Sequence, residues 1–246
     1  MAQSPVTITE AGSYQRIVAP GSLAVAFGSG FSPVFVGANA TLSNSMYTLP
    51  TTVGGDTVTV TDSGTAANTS FLYMVSPDQI NLVIPSNAAL GAGTVSVQTA
   101  NGALTGPVLV SNVSPAIMTA DGTINGAAAA TLTVSNAAGQ STTTSLVGGA
   151  GPVSQPAAIS LMQPAGSSEY LTFYGTGIRN HSLNPVIAQI NGVTVPVTYA
   201  GPQNQYPGTD VVTVGPLPST LAGAGVVNVA ITVDGVPANV VKVAFQ

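Results

Sequence analysis

Charged side chains are scarce in this sequence of 246 residues: they make up 4% of the chain, against about 25% in a typical soluble domain. The three cations are Arg16, Arg179 and Lys242, and with eight acidic residues they give a formal net charge of −5. Tight nucleic-acid binding needs clustered Lys and Arg to displace counterions, and a membrane-surface helix needs a basic face. The composition therefore excludes both functions.

Cysteine, tryptophan and long apolar runs are also absent. Without cysteine there is no disulfide framework, no thiolate nucleophile and no Cys-ligated zinc. Although the mean hydropathy is +0.44, no run reaches the roughly 18 apolar residues of a membrane-spanning helix. The apolar residues form short pieces separated by Ser, Thr, Asn, 28 glycines and 18 prolines, which predicts many short strands joined by turns.

The first ten residues, MAQSPVTITE, lack the positive segment and apolar core of a signal peptide. We interpret AQSP as a mature N-terminus preceded by an added Met. A surface of Thr, Ser, Asn, Gln and Gly with few charges suits a protein outside the cytoplasm. We therefore expect an extracellular or cell-surface location, with the signal peptide already removed.

Two repeated patterns divide the chain. SLAVAFGSGF (22–31) matches SEYLTFYGTGI (168–178): each is an alternating strand that ends in an aromatic residue and a Gly-Ser-Gly or Gly-Thr-Gly turn. LGAGTVSVQTANGA (90–103) matches LAGAGVVNVAITVDGVPA (221–238), in which Asn-Gly and Asp-Gly are strong hairpin signals. The spacing between the patterns differs, which indicates an insertion in the first copy. The repeats predict an N-terminal segment (1–20), a first sandwich (21–113), a connecting β segment (114–165) and a second sandwich (166–246).

Alternation with period two dominates the sequence, for example in residues 193–199 and 226–233. Residues 127–130 are all Ala and could form a helix, but Gly126 before them and the Thr, Val and Ser after them favour a strand. The predicted fold class is all-β, with two immunoglobulin-like antiparallel β-sandwich domains in tandem. Aromatic residues make up 5% of the chain, so we expect thin cores of Val, Leu, Ile and Ala.

Longer stretches carry a resemblance to a known family. They are APGSLAVAFGSGFS (19–32), LPTTVGGDTVTV (49–60), LYMVSPDQINLVIP (72–85), GAGTVSVQTANG (91–102), SPAIMT (114–119), LTFYGTGI (171–178), VIAQINGVTVPVTYAGP (186–202) and AGVVNVAITVDGVPANVVKVAF (224–245). They resemble the Solibacter-type C-terminal domain family, whose members look like tandem IPT/TIG-like immunoglobulin-like modules. The resemblance covers nearly the whole chain and implies a secreted or cell-surface location, with no catalytic residues to carry over. The second half departs from the pattern where Asp210, Val211 and Val212 replace Gln-Ile-Asn.

The most specific stretch, SPDQINLVIP (76–85), is rich in polar groups and raises the question of a site. Period-two geometry turns Ile80 and Leu82 inward and Gln79 and Asn81 outward. We interpret the stretch as the beginning of a strand and expect Ile80 and Leu82 to be buried, like Val97 in a later strand. The alternative is that Gln79 or Asn81 binds a ligand from an exposed sheet face.

Few residues could carry catalytic or metal chemistry. The one histidine, His181, follows Arg179 in a loop; a Ser-His-acid triad would have to use it, and we interpret it as a solvated loop residue. Asp56 and Asp62 flank a strand and are the best calcium candidates, with help from backbone carbonyls. Lys242 could form an isopeptide crosslink, but its strand pattern turns it to solvent, where it would discourage edge pairing.

These observations favour a non-catalytic structural or assembly module that is secreted or held at the cell surface, needs no cofactor and associates with itself. The N-terminal segment is the expected free strand for that association, so deleting residues 1–12 should weaken it. The alternative is a carbohydrate- or protein-binding adhesion module whose partner is a surface glycan or protein. Tyr199 and Tyr206 are then the aromatic candidates for ligand binding, beside Gln79 and Asn81. An enzyme is the least favoured class.

Overall fold

A computed structural model describes residues 6–148, 155–161 and 165–246 of the chain. Within these residues all regular structure is β, apart from one 3₁₀ turn at Ser219–Leu221. The all-β prediction is confirmed, including a strand from Ala130 onward where the alanine run allowed a helix. The parts of the predicted N-terminal and connecting segments at 1–5, 149–154 and 162–164 lie outside the described residues.

The first domain contains two facing sheets. One has the order β1-β2-β10-β9-β3 and the other β12-β11-β7-β6, with β8 paired to β7. The strands are β1 (Thr7–Glu10), β2 (Leu23–Phe27), β3 (Val36–Gly37), β6 (Thr52–Val53), β7 (Asp56–Thr61), β8 (Ala67–Thr69), β9 (Phe71–Val75), β10 (Gln79–Val83), β11 (Gly91–Thr99) and β12 (Gly102–Val110). A separate hairpin, β4 (Thr41–Ser43) with β5 (Met46–Thr48), projects from the region of the expected insertion.

The second domain repeats the plan. Its first sheet has the order β15-β14-β19-β23-β22, with β13 paired to β19, and its second has β18-β26-β24-β20-β21, with β25 paired to β24. The strands are β13 (Ala116–Ile117), β14 (Ala130–Ser135), β15 (Ser141–Ser145), β18 (Ala158–Ile159), β19 (Ser168–Thr176), β20 (Ile187–Ile190), β21 (Val193–Val195), β22 (Val197–Pro202), β23 (Asp210–Val214), β24 (Gly225–Val233), β25 (Val236–Pro237) and β26 (Val241–Phe245). β16 (Val147–Gly148) pairs antiparallel with β17 (Gln155–Pro156).

Equivalent strands occupy equivalent places in the two domains. β2, β10 and β9 lie side by side in the first, as β19, β23 and β22 do in the second. In each domain a short stretch before the core strands also pairs in parallel with the last strand: Val18 with Val110, and β18 with β26. This Greek-key order of two packed antiparallel sheets defines two immunoglobulin-like β-sandwiches in tandem, so the fold class is confirmed.

Each domain has its own aliphatic core, because alternate residues of every long strand point between the sheets. One core extends from Val6 to Val110 and the other from Val113 to Phe245. Ile80, Leu82 and Val97 are fully buried, whereas Gln79 and Asn81 are partly exposed. The predicted facing of β10 is therefore confirmed. The SPDQIN stretch forms the β9–β10 turn, in which Ser76 N–H donates to the Gln79 carbonyl.

The outer face of the second domain shows how a sheet is covered without charges. Neighbouring strands place hydroxyl groups opposite one another, and these bond in pairs: Thr133 with Thr143 at 2.9 Å, Ser135 with Ser141 at 2.7 Å, and Thr172 with Thr213 at 3.0 Å. Such cross-strand hydroxyl pairs stabilise a sheet. The expected surface of uncharged polar side chains is thus present on this face.

Two predicted boundaries differ from the structure. The N-terminal segment is not outside the first sandwich: β1 pairs with β2, and Val6 and Ile8 point into the core because they alternate with polar residues. Most of the connecting segment likewise belongs to the second sandwich, since β14 pairs along β19 from Ala130 to Ser135. Deleting residues 1–12 would therefore remove part of the first core instead of a free strand.

Lys242 is exposed, as expected, but it does not lie on an open edge of the sheet. Its N–H donates to the Gly126 carbonyl, and its carbonyl accepts the Ala128 N–H, each at 2.9 Å. The backbone of residues 126–128 therefore covers β26 at this point. The predicted role in discouraging edge pairing is wrong for that reason.

Candidate functional site

The loop of residues 203–209, between β22 and β23, lies against the first domain. Gln203 shapes this loop, because its Oε1 accepts the N–H groups of Gln205 and Tyr206 at 2.9 and 3.0 Å. Gly208 closes the loop with φ +80°, and a Cβ there would lie 2.9 Å from the Leu23 side chain. Glycine is thus required both by the backbone conformation and by the close approach of the two domains.

The first domain holds this loop with two tyrosines. Tyr73 Oη donates to the Pro207 carbonyl at 2.7 Å. Tyr47, on the β4–β5 hairpin, donates its backbone N–H to the Gln205 carbonyl at 2.9 Å and stacks on Tyr206, with ring centroids 5.1 Å apart and planes 21° apart. The insertion in the first copy therefore forms a clamp on the second domain.

Further hydrogen bonds cross the junction nearer the chain connection. Thr176 Oγ1 accepts the Leu23 N–H at 2.7 Å and donates to the Gly208 carbonyl at 2.8 Å. Asn180 Nδ2 donates to the Pro20 carbonyl at 2.7 Å, and Ser114 Oγ donates to the Ile17 carbonyl at 2.8 Å. These contacts come from several separate elements, so they fix the orientation of the two sandwiches as well as their distance.

Arg179 and Asp210 form an ion pair behind the loop, with 2.8 Å between Nε and Oδ1. Asp210 is fully buried and also accepts the N–H groups of Ile178 and Arg179. Burial raises the pKa of Asp210 above its usual 3.8, against the opposing effect of the guanidinium and the backbone donors. Arg179 also ties its own loop to the 203–209 loop, because its guanidinium donates to the Thr209 carbonyl.

A cavity of about 250 Å³ opens between the domains beside this loop, and we call it the junction cleft. The first domain contributes Leu23, Tyr73 and Asn81 to its walls, and the second contributes Met118 and Tyr206. The walls are mostly apolar, with an amide and two phenol rings at defined places. No charged side chain lines the cleft among the described residues.

The polar groups of the cleft are pre-oriented by their neighbours. Gln79 Nε2 donates to Asn81 Oδ1 at 2.7 Å, which orients the Asn81 amide, and the two N–H groups of this amide make no hydrogen bond among the described residues. Burial raises the pKa of Tyr73 to about 12, with a smaller contribution from nearby Tyr206. The Tyr73 phenol therefore stays neutral and keeps donating to Pro207 at physiological pH.

Three of the four predicted ligand-binding residues come together here. Asn81 and Tyr206 line the cleft, and Gln79 supports Asn81. Tyr199 lies apart, in a cavity of about 600 Å³ beside His181, and its Oη donates to the Pro202 carbonyl at 2.8 Å. The sequence reading missed Tyr73 and Tyr47; the insertion in the first copy was the one signal that pointed toward Tyr47.

His181, Ser182 and Asp234 are neighbours, but their hydrogen bonds are not those of a catalytic triad. Ser182 Oγ donates to Asp234 Oδ1 at 2.7 Å instead of facing the imidazole. The two ring nitrogens of His181 face the carbonyls of Ser182 and Ala200 at 2.7 and 3.2 Å. The hydrogen bonds from Ser182 lower the pKa of Asp234. This group closes a loop, and its serine hydroxyl is bonded to a carboxylate and not to the imidazole, unlike the serine of a catalytic triad.

The predicted calcium pair does not form. Asp56 and Asp62 lie at opposite ends of β7, and at roughly 3.3 Å per residue they are about 20 Å apart. Asp62 accepts the N–H groups of Gly64, Ala66 and Ala89, and these bonds lower its pKa. Burial raises the pKa of Asp56. No three acidic or histidine side chains in the described parts of the chain could share a metal ion.

Comparison with known proteins finds distant structural similarities. No family model and no curated protein matches the sequence. One similar solved structure is the mixed-linkage glucan locus protein SGBP-B from Bacteroides ovatus in complex with a heptasaccharide, with 16% identity and a TM-score of 0.35 over 100% of this chain and 46% of that one. A second is SGBP-B from a xyloglucan locus of Bacteroides uniformis, with 13% identity and a TM-score of 0.25 over 98% of this chain and 48% of that one. A third is InvD from Yersinia pseudotuberculosis, with 13% identity and a TM-score of 0.23 over 99% of this chain and 58% of that one. The chain spans about half the length of the two SGBP-B structures.

At these identities and TM-scores the similarities carry no argument about this chain. One further finding concerns membranes: none of the helical structure in the described residues is long and apolar enough to cross a bilayer.

Proposed function

We propose that this chain is a non-catalytic module of the cell exterior in which two immunoglobulin-like domains are locked in one orientation, serving as a structural or adhesion element. The observation that carries the proposal is the clamp of Tyr47 and Tyr73 on the 203–209 loop. Tandem domains move relative to one another by default unless their interface is extensive. Here a stacked ring pair and hydrogen bonds from several elements oppose that motion.

The composition and the family resemblance support the same proposal. Few charges and paired surface hydroxyls suit an exterior protein and weaken repulsion between copies, which favours self-association. We extend the proposal to membership of the Solibacter-type C-terminal domain family. A second candidate function, binding of a neutral carbohydrate, is favoured by one observation: Asn81 and Tyr206 meet in the junction cleft.

The test of the locked pair compares Tyr47→Ala with Leu42→Ala. The two residues face each other across the same hairpin, but Leu42 is 56% exposed whereas Tyr47 stacks on Tyr206. Small-angle scattering should show one compact shape for the wild type and for Leu42→Ala, and a broader range of interdomain distances for Tyr47→Ala. Calorimetry should likewise show the two domains unfolding together until Tyr47 is removed.

The proposal fails if the wild-type domains already scatter as independently moving bodies, or if Tyr47→Ala leaves both measurements unchanged. The self-association part is tested separately, by light scattering of the wild type over a range of concentrations. A strictly monomeric protein at millimolar concentration would contradict that part alone.

A further inference from the structure

We infer that the junction cleft binds one pyranose ring of a neutral glycan. The inference rests on the adhesion function proposed above and deepens it, because the size, charge, polar groups and apolar walls of the cleft define the class of ligand.

Size limits the occupant to a single ring. The cleft holds about 250 Å³, whereas pockets for drug-sized ligands span about 300–1,000 Å³. A group that enters it is therefore smaller than an oligosaccharide. The remainder of a longer chain would extend over the surface beside Tyr206, whose side chain is 43% exposed.

Charge limits the occupant to a neutral one. No side chain that lines the cleft carries a charge among the described residues. The nearby Arg179 is already engaged by Asp210 and the Thr209 carbonyl. An ionic ligand would lose its hydration without gaining a counter-charge, which is unfavourable. A phosphate, a carboxylate or an ammonium group therefore does not suit this site.

The polar groups of the cleft favour a ligand that carries hydroxyl groups. Asn81 lines the cleft, and its amide has two N–H donors that make no hydrogen bond among the described residues. Thr209 adds a hydroxyl-bearing side chain to the wall. A purely apolar occupant, such as the aliphatic side chain of a peptide, would bury the amide donors unsatisfied. A sugar hydroxyl accepts from an amide and donates to a second partner at the same time.

The apolar walls suit the C–H face of a sugar ring. The Tyr206 ring is held in place by stacking on Tyr47, and Leu23 and Met118 lie on the remaining walls. Rigid aromatic side chains supply contact area at low entropic cost because few torsions are frozen on binding. One face for C–H groups and a rim of fixed donors together match a neutral pyranose.

The cleft exists only when both domains are docked, since Asn81 comes from the first and Tyr206 from the second. Binding should therefore depend on the clamp. It should also stabilise the docked pair, because a ligand that binds one conformation shifts the equilibrium toward it.

The experiment uses the full chain on an array of neutral, sialylated and sulfated glycans, followed by calorimetric titration of the strongest neutral oligosaccharide. Asn81→Ala and Tyr206→Ala should each weaken binding about tenfold or more, as expected for one lost hydrogen bond or ring contact. Tyr199→Ala is the matched control, because Tyr199 is 44% exposed against 43% for Tyr206 and lines a different cavity. It should change binding less than about twofold.

Tyr206→Ala could weaken binding indirectly, by loosening the junction between the domains. Asn81→Ala separates this effect from direct contact with the ligand, because Asn81 makes no hydrogen bond to the second domain in the described structure. The inference is overturned if no neutral glycan binds at millimolar concentration, if only charged glycans bind, or if Tyr199→Ala abolishes binding while Asn81→Ala does not. Loss of binding in Asn81→Ala with an unchanged scattering profile supports the site. The scattering measurement on Tyr47→Ala, by contrast, tests whether the two domains are held in one orientation, and it needs no ligand.

Discussion

Asn239 bonds to both sides of the Ile117 backbone: its Oδ1 accepts the Ile117 N–H at 2.8 Å, and its Nδ2 donates to the Ile117 carbonyl at 2.9 Å. The side chain acts as a neighbouring strand would, and it joins β13 of one sheet to the segment before β26 of the other. Nδ2 also donates to the Ile124 carbonyl at 2.7 Å. All three bonds are made by a side chain that is almost completely buried.

Replacing Asn239 by Ala should lower the free energy of unfolding of the second domain by about 1–3 kcal/mol, because buried backbone groups lose their partners. Asn239→Asp should cost at least as much, since a carboxylate cannot donate to the two carbonyls. Urea unfolding is the measurement, with Asn101→Ala, at an exposed turn, as the control. Equal stability of Asn239→Ala and the control would show that water replaces these bonds.

Leu82→Ala should destabilise the first domain by about 2–5 kcal/mol, because it removes a fully buried side chain and leaves a cavity. The matched control is Leu109→Ala, the same change on a strand position that is 45% exposed. Chemical denaturation should show a large loss for the first variant and a small one for the second. Similar losses in both would contradict the observed facing of β10.

Gly106→Ala should displace the N-terminal strand. A Cβ at Gly106 would collide with the Val6 carbonyl oxygen, where the Val6 N–H donates to Thr105. Overpacking of this kind costs about 1–3 kcal/mol, and hydrogen exchange should show faster exchange across Thr7–Glu10. Gly37→Ala, with no atom nearer than 3.9 Å to the new Cβ, is the control. Unchanged protection of β1 in Gly106→Ala would mean that the strand is held by β2 alone.

Acid should weaken the first domain through Asp62. Three backbone N–H groups stabilise the Asp62 carboxylate and lower its pKa below 3.8. The stabilisation is therefore fully present above about pH 4, the pKa of an unfolded Asp, and is lost as the pH falls through the lower folded-state pKa. Denaturation series between pH 7 and pH 2 should show a smaller acid-dependent loss in Asp62→Asn, whose amide cannot titrate. An identical pH dependence in both proteins would assign the effect to other acids.

The repeated strands could be predicted because each copy contains its own signals. Alternation and the Gly-Ser-Gly or Gly-Thr-Gly turns located β2 and β19, and Asn-Gly and Asp-Gly located the hairpins after β11 and β24. Burial of Leu82 followed from the same alternation. These features depend on neighbours in sequence, and such local rules are the most informative ones for a β protein.

The domain limits and the junction depended on contacts that no local rule describes. The repeated sequence patterns do not include β1 and β14, so these strands were not assigned to the sandwiches. In the structure, Val6 and Ala130 nevertheless belong to the two cores. Asn81 and Tyr206 were proposed separately as ligand-binding residues. Their meeting in one cleft depends on how the 203–209 loop docks, and the partners that hold this loop, Tyr47 and Tyr73, lie more than a hundred residues away.

The single ion pair of the described structure, Arg179 with Asp210, has a consequence for the environments that the protein can tolerate. Dissolved salt screens interactions between exposed charges, and the exposed charged side chains of the described residues are Arg16, Asp78 and Lys242, which form no ion pair. Apolar burial holds each sandwich together, and a stacked tyrosine pair and neutral hydrogen bonds hold the two sandwiches to each other. These interactions do not depend on ionic strength in that way. The chain should therefore keep its shape in both dilute and saline solution.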